Sequence, residues 1–333
     1  MIVFRVQNYK NICTYAKKIV ILQRITEKHH IMKKIFTLFL AFMAATTLLA
    51  HDFEVNGIYY NILDDKTNEV EVTWRGALST SYEEYIGYIA IPESVTYEGT
   101  TYRVTEVGVG AFQDCTNLTS VMLPNHVTSI GANAFWGCSG LEFVTIPDSL
   151  SWIGERGFYE CTNLTTIILP NTMTSIRDYV FANCTSLNHV TIPNSITFIG
   201  DGAFAYTGLS CVVLPASVRT LGFYVFSSCP NLREVTCESV KLPMLAQWVF
   251  FKTATDEATL YVPEESLEEY KTAAQWKEFG TILPISQVGT DLENIGLDNG
   301  YEVIDNGKLL RNGQLVIVRD GVEYNAMGQI VKE

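Results

Sequence analysis

A repeat of 22 or 23 residues is the feature that most constrains how this chain can fold. Six phenylalanines follow one another at spacings of 23, 23, 23, 23 and 22 residues: Phe112, Phe135, Phe158, Phe181, Phe204 and Phe226. A unit this short cannot bury its own apolar side, whereas stacked units share one continuous core. We therefore predict a repeat solenoid with six units over residues 104–239 and a degenerate seventh unit from Val240.

The columns of the repeat predict one short strand and one turn in each unit. The unit has the form apolar-x-x-Ile-Gly-x-x-small-Phe-x-x-Cys-x-x-Leu-x-x-Val-x-Ile-Pro-Asn, with substitutions at individual positions. The Val-x-Ile segment alternates with a period of two, so we expect a strand whose Val and Ile side chains point inward. In five units proline follows and ends the strand. We expect the Ala-Phe-x-x-Cys segment to form a helical turn or short helix on the opposite side.

The pattern resembles the 23-residue leucine-rich repeat of BspA-like bacterial surface proteins. The residues that carry this resemblance are Ile130, Gly131, Ala134, Phe135, Cys138, Leu141, Val144, Ile146, Pro147 and their copies, over about residues 53–285. The resemblance implies an α/β leucine-rich-repeat solenoid, curved, with a parallel strand per repeat and short helical turns. Members of this family are typically secreted or displayed on the cell surface, and some are adhesins for host proteins or other cells.

The segments beside the repeats predict caps. Residues 51–103 alternate as strands around polar turns at 64–68 and 98–101, which indicates a β-rich N-terminal cap. Residues 240–285 contain the degenerate repeat and a C-terminal cap. In this second cap we expect a helix from about Glu264, and we expect Tyr270, Trp276 and Phe279 to cover the last rung.

The last part of the chain predicts a separate module. Residues 286–300 form a polar linker, and residues 301–333 indicate a small β-module of three or four strands with Asn312-Gly313 and Asp320-Gly321 as hairpin turns. The module resembles C-terminal segments of some exported bacterial proteins, a subset of which act in sorting to the cell surface. A passive terminal hairpin is the alternative.

The N-terminal segment predicts export. Residues 32–50, MKKIFTLFLAFMAATTLLA, have the basic start, apolar stretch and small final residue of a secretory signal peptide, with cleavage expected after Ala50 and alternatives near Ala45 or Thr47. We interpret residues 1–31 as a wrongly assigned upstream extension, an unusually long basic region being the alternative. We therefore expect a bacterial cell-surface or extracellular protein, with no transmembrane helix in the mature chain.

Charge argues against a nucleic-acid partner. Residues 1–50 hold 8 of the 23 Lys and Arg residues and 1 of the 36 Asp and Glu residues. The remaining chain keeps 15 basic and 35 acidic side chains, a net charge of −20. Such a surface repels phosphate backbones, so we expect no nucleic-acid binding.

A column of cysteines leaves three interpretations open. Its members are Cys115, Cys138, Cys161, Cys184 and Cys229, with Thr207 in the fifth place. Equivalent residues of a stacked sheet lie about 4.8 Å apart with parallel Cβ vectors, whereas disulfides and tetrahedral metal sites need convergent side chains. Buried reduced thiols are therefore favoured, with one or two disulfides between rungs or a metal site as alternatives. Cys211, at an outward strand position, is the candidate reactive thiol.

Catalysis is not predicted. After residue 50 the chain has only three histidines, His51, His126 and His189, and no serine or cysteine nucleophile is matched to a base. We expect no catalytic residues, no cofactor and no metal, and therefore a protein that is not an enzyme.

The outward positions of the strands predict a ligand-binding face. If Val and Ile point inward, the flanking side chains form two outward columns, and solenoids commonly bind partners on such extended faces. Ordinary strand propensity is the alternative explanation for these residues. The candidate residues are Met122, Phe143, Thr145, Thr166, Ile168, His189, Thr191 and Val213, with Trp152 and Phe198, near the starts of their units, extending the same surface.

Two functions are consistent with these features. The first is a secreted or cell-surface binding protein, adhesin-like, whose strand face recognises an extracellular protein or glycan, host matrix included. The alternative is a structural or assembly component of the cell envelope that has no soluble ligand.

Overall fold

The chain coils into a β-solenoid of about eight turns, which confirms the predicted leucine-rich-repeat fold class. The structure, a computed structural model, describes residues 51–64, 66–74 and 85–287, and between 301 and 332 it describes the strands alone. The predicted upstream extension, the signal peptide and most of the linker lie outside the described residues. No helix among the described residues is long and apolar enough to cross a lipid bilayer.

The N-terminal cap is a small, mostly antiparallel sheet that continues into the solenoid. Strands β1, β2 and β3 pair in order as antiparallel neighbours. Strand β3 then pairs in parallel with β6, which also pairs antiparallel with β5 and in parallel with residues 129–130 of the next rung. The bounds are β1 (Phe53–Val55), β2 (Ile58–Asp64), β3 (Glu69–Thr73), β5 (Ser94–Tyr97) and β6 (Thr100–Val107). The cap therefore covers the first rung by extending one of its strands.

Each rung contributes two strands, whereas one strand per repeat was expected. They stack into two parallel ladders, separated in each rung by a turn after the Val-x-Ile strand. The first ladder is β6, β8 (Ser129–Ile130), β10 (Trp152–Ile153), β12 (Ser175–Ile176), β14 (Phe198–Ile199), β16 (Thr220–Leu221) and β18 (Met244–Leu245). The second is β4 (Gly87–Ala90), β7 (Leu118–Met122), β9 (Phe143–Thr145), β11 (Thr166–Ile168), β13 (His189–Thr191), β15 (Cys211–Leu214), β17 (Glu234–Cys237), β19 (Thr259–Val262) and β20 (Thr281–Pro284). Strands of two residues are too short for a period-two pattern to reveal.

The inward register of the Val-x-Ile strands is confirmed. The first inward position is at most 6% exposed in all six units: Val121, Val144, Ile167, Val190, Val212 and Val235. The second inward position is buried in five units, and Ile146 is half-buried.

A column of stacked phenylalanine rings forms the centre of the core. From Phe112 to Phe250, consecutive ring centroids lie 4.9–5.8 Å apart with interplanar angles of at most 14°. Trp276 and Phe279 contact Phe250 at the C-terminal end of this stack, and Tyr270 contacts Trp276. All three are buried, so these residues close the solenoid core as the sequence predicted.

The segments around the phenylalanines form single hydrogen-bonded turns and not the short helices that were the other expectation, as Cys138 N donates to Phe135 O at 3.1 Å. Two residues in each of these segments have positive φ, for example Asn133 (57°) and Gly137 (74°) on either side of Phe135. A left-handed residue cannot continue a right-handed helix. The segments also bond from rung to rung, as Phe135 N donates to Gly157 O at 2.8 Å. The described residues contain one α-helix, α1 (Leu267–Thr272), preceded by a short 3-10 turn at Glu264–Ser266.

Glycine allows neighbouring rungs to approach closely after the first-ladder strand. A Cβ atom on Gly131 would lie 2.5 Å from Val109 N in the preceding rung. Arg177 occupies the equivalent position two rungs later, and there the first ladder is interrupted between β10 and β12. The second ladder is interrupted twice, between β9 and β11 in the same pair of rungs and again between β13 and β15.

The C-terminal module has five strands and not three or four. Each strand pairs antiparallel with the next: β21 (Tyr301–Ile304), β22 (Lys308–Arg311), β23 (Gln314–Arg319), β24 (Val322–Asn325) and β25 (Ile330–Lys332). Arg311 pairs with Gln314 and Arg319 with Val322, so each of the two predicted hairpin dipeptides is flanked by a strand pair. The fifth strand is three residues long and follows a four-residue connection that contains Gly328.

Candidate binding face

The outward side chains of the second ladder form the candidate site, which we call the strand face. It consists of two columns of equivalent positions, in register within each group of paired strands: Ser120, Phe143, Thr166, His189, Cys211 and Glu234 in one, and Met122, Thr145, Ile168, Thr191, Val213 and Thr236 in the other. The pairs Ser120–Phe143, Thr166–His189 and Cys211–Glu234 are direct strand neighbours. Eight of the ten predicted site residues therefore share one face of the solenoid.

Exposure of the strand face is moderate and uneven. Val213 is 48% exposed and His189 is exposed, whereas Met122, Phe143 and Ile168 are half-buried. Half-burial on an outward strand face means that neighbouring side chains cover one another while their outer surfaces remain open. The face is therefore mixed, with apolar groups separated by threonines.

Some polar groups of the strand face form hydrogen bonds within the protein. Thr145 Oγ1 accepts a bond from Leu123 N at 2.8 Å, so this hydroxyl replaces a ladder acceptor. Thr191 Oγ1 and His189 Nε2 lie 3.4 Å apart. Desolvation lowers the pKa of the His189 imidazole.

Trp152 and Phe198 lie on the first ladder, in β10 and β14, and not on the strand face. The proline-containing turn that follows each Val-x-Ile strand separates the two ladders, and the linear spacing does not reveal this corner. Trp152 has the Arg177 guanidinium 5.3 Å from its ring centroid, across the interruption between β10 and β12. These two candidates are thus placed apart from the other eight.

The cysteine column is part of the core. Cys138 Sγ donates to Phe112 O of the preceding rung at 2.9 Å, and Cys161 Sγ to Phe135 O at 3.1 Å. Thr253 Oγ1, at this position of the degenerate seventh unit, donates to Phe226 O of the preceding rung at 2.6 Å, whereas Thr207 Oγ1 donates to Phe204 O of its own rung at 2.9 Å. Burial raises the pKa of the Cys138 and Cys161 thiols. No disulfide joins any of the seven cysteines among the described residues, and only Cys211 is exposed.

The three histidines of residues 51–287 lie on different elements. His126 Nδ1 bonds the Glu93 carboxylate at the surface, and this bond is the main reason why the pKa of Glu93 is lowered. His189 lies in β13 and His51 precedes β1. Within 51–64, 66–74 and 85–287, no cluster of three or more His, Cys, Asp or Glu side chains could hold a metal ion.

The strand face extends beyond the residues predicted from the sequence. Tyr88 pairs with Ser120, is 56% exposed, and its hydroxyl lies 3.9 Å from Met122 Sδ. Tyr261 pairs with Thr236 at the other end. The sequence contains a signal for Tyr88, because residues 88–92, YIAIP, end in the same apolar-x-Ile-Pro pattern as the strands of the repeats. This segment lies within the range predicted as the N-terminal cap, so it was not counted as a repeat strand.

A model of the BspA-type leucine-rich repeat region matches residues 105–270 in six copies. The chain belongs to this family. The matched range starts within the first predicted unit and runs into the C-terminal cap. No curated protein matches the chain significantly.

Solved structures of similar chains are bacterial repeat proteins. A leucine-rich repeat protein of T. pallidum is 32% identical, with a TM-score of 0.48, over 55% of this chain and 80% of that one. A leucine-rich cell surface protein of Faecalibacterium prausnitzii is 24% identical, with a TM-score of 0.46, over 69% of this chain and 72% of that one. A leucine-rich repeat protein of Bacteroides capillosus is 31% identical, with a TM-score of 0.34, over 41% of this chain and 95% of that one.

Proposed function

We propose that this protein is an exported, adhesin-like binding protein that recognises an extracellular protein or glycan through the strand face. The observation that carries the proposal is the set of apolar side chains at outward positions of the second ladder, where folding does not require them: Met122, Phe143, Ile168 and Val213. Tyr88 adds a fifth large side chain beside Met122. Apolar groups that recur along an exposed face favour partner binding.

The chemistry of the face supports recognition and not catalysis. It combines apolar groups, threonine hydroxyls and the exposed His189 imidazole, which together suit contact with an uncharged or weakly charged partner. The signal peptide predicted at residues 32–50 supports export, and membership of the BspA-type repeat family agrees with a location at the cell surface.

A double substitution tests the proposal. Phe143→Thr with Ile168→Thr removes two apolar groups but keeps residues that favour strands. The purified full chain would be tested for saturable binding to a panel of extracellular-matrix proteins and to a glycan array. We expect the double variant to lose binding by at least about tenfold, which corresponds to about 1.4 kcal/mol, at an unchanged melting temperature.

The matched control is Val109→Thr with Val240→Thr, which removes two exposed apolar side chains outside the strand face. This control should bind as the unaltered chain does. An equal loss of binding in both double variants would mean that the strand face is not the binding site. A folded chain that binds no member of either panel would favour a structural component of the envelope.

A further inference from the structure

Both parallel ladders are interrupted at one place in the solenoid. The first ladder lacks pairing between β10 and β12, and the second lacks it between β9 and β11. At the other break of the second ladder, between β13 and β15, the first ladder continues because β12 and β14 pair. We call the double interruption the seam, and it separates residues 143–153 from residues 166–176.

Backbone hydrogen bonds beside the first ladder are also missing at the seam. In the next rung, Gly200 N donates to Ile176 O at 2.8 Å and Thr197 N donates to Thr174 O at 2.9 Å. Arg177 and Thr174 hold the equivalent positions one rung earlier, and within residues 85–287 neither amide donates to a carbonyl of the preceding rung. The seam therefore lacks both the strand pairing and the flanking bonds that join the other rungs.

Arg177 distinguishes this rung from the others. The position after the first-ladder strand is glycine in five rungs and alanine in one: Gly108, Gly131, Gly154, Gly200, Gly222 and Ala246. Neighbouring rungs approach closely at this position, since a Cβ atom on Gly200 would lie 2.7 Å from Asp178 N. Arg177 places a long side chain there, and its guanidinium lies 5.3 Å from the Trp152 ring centroid across the seam. A cation–π contact thus stands where the other rungs have backbone bonds.

The two rungs remain joined on the turn side and at one corner. Phe135 N donates to Gly157 O at 2.8 Å, and the Phe135 and Phe158 rings stack with centroids 4.9 Å apart. At the corner between the ladders, Thr172 Oγ1 donates to Leu150 O. The turn side is therefore continuous across the seam, whereas a single side chain bridges the corner.

From this arrangement we infer that the seam is a hinge within the solenoid. Each rung of a repeat protein contacts only its neighbours, so stability is a sum of contributions from successive interfaces. Local opening then occurs at the interface with the fewest bonds. The strand sides at the seam part about the continuous turn side in the native protein and close again without unfolding of either half.

The seam crosses the middle of the strand face. Phe143 and Thr145 lie on one side of it, and Thr166 and Ile168 lie on the other. A partner that contacts Phe143 and Ile168 together must hold the seam in one state, so binding and hinge motion are coupled. This coupling rests on the proposed function, whereas the hinge itself does not.

Thiol labelling of the folded full chain measures opening of the seam. Met173 is buried beside the seam, and Ile196 is the equivalent buried residue in the next rung, whose first-ladder strand pairs on both sides. In a Cys211→Ser background, Met173→Cys should react with maleimide at least about tenfold faster than Ile196→Cys below the unfolding transition. Mass spectrometry identifies the labelled site.

Two substitutions should change this rate in opposite directions. Arg177→Gly restores the residue of the other rungs and should slow labelling of Met173→Cys to within about threefold of Ile196→Cys. Thr172→Ala removes the corner bridge and should speed it. Ser149→Ala is the matched control and should leave the rate unchanged, because the Ser149 hydroxyl makes the same bond at a corner where both ladders are paired.

Hydrogen exchange tests the hinge without any substitution. In the unaltered full chain, the amides of Thr174 and Arg177 should exchange at least about tenfold faster than those of Thr197 and Gly200, after correction for intrinsic rates. Equal protection at these positions overturns the inference. Equal labelling of the two cysteine variants also overturns it, as does a labelling rate that Arg177→Gly leaves unchanged. None of these measurements uses a partner, so they are independent of the proposed function.

Discussion

Replacement of Phe158 by alanine should remove much of the stability of the solenoid. The ring is fully buried and lies between Phe135, 4.9 Å away, and Phe181, 5.6 Å away, nearly parallel to both. Buried Phe→Ala substitutions cost about 3–5 kcal/mol, and each aromatic pair contributes about 0.5–1.5 kcal/mol beyond its buried area. Because the substitution breaks two such pairs, we expect a loss near the top of that range, about 4–5 kcal/mol.

Urea denaturation followed by far-UV circular dichroism measures this loss, with tryptophan fluorescence as a second probe of cooperativity. Phe198→Ala is the matched control, because Phe198 is 40% exposed on the first ladder and should cost about 1 kcal/mol or less. A change in the free energy of unfolding below about 1.5 kcal/mol for Phe158→Ala would contradict the stacked core. So would a Phe198→Ala effect as large as that of Phe158→Ala.

Three further predictions concern other parts of the solenoid. Maleimide should label Cys211 in the folded chain and Cys138 only after unfolding, because burial raises the pKa of the Cys138 thiol; mass spectrometry with and without urea checks this, and early labelling of Cys138 would refute it. The pKa of Glu93 is lowered in the folded state by its bond to His126, so that bond stabilises above the unfolded value of 4.5 and the benefit is lost as pH falls. Glu93→Gln should therefore reduce the free energy of unfolding at pH 7 by less than about 1 kcal/mol, and the difference from the unaltered chain should shrink as pH falls below 4.5; an effect that grows on acidification would exclude this account. Gly131→Ala should lower the melting temperature, because its Cβ would lie 2.5 Å from backbone of the preceding rung, and an unchanged value would refute the close approach of the two rungs.

The repeat by itself determined which side chains form the core. A fixed period places the same side chain at the same point of every rung, so the Phe column and the inward Val positions follow from spacing alone. The capping aromatics Tyr270, Trp276 and Phe279 were also predictable, since the last rung must be covered and they are the large side chains available there.

Only the tertiary structure decided the conformation of the turn side and which surface each outward residue joins. Left-handed residues such as Tyr206 and Trp248 have no local preference for that conformation. Hydrogen bonds from the neighbouring rung hold the backbone there, as between Tyr206 N and Ser227 O at 2.9 Å. The corner that separates Trp152 from Phe143 likewise depends on how rungs stack. The physical reason is that the sequence of one unit determines only which of its side chains alternate inward and outward along a strand. The turns, the second strands and the exposed surfaces depend on contacts between units.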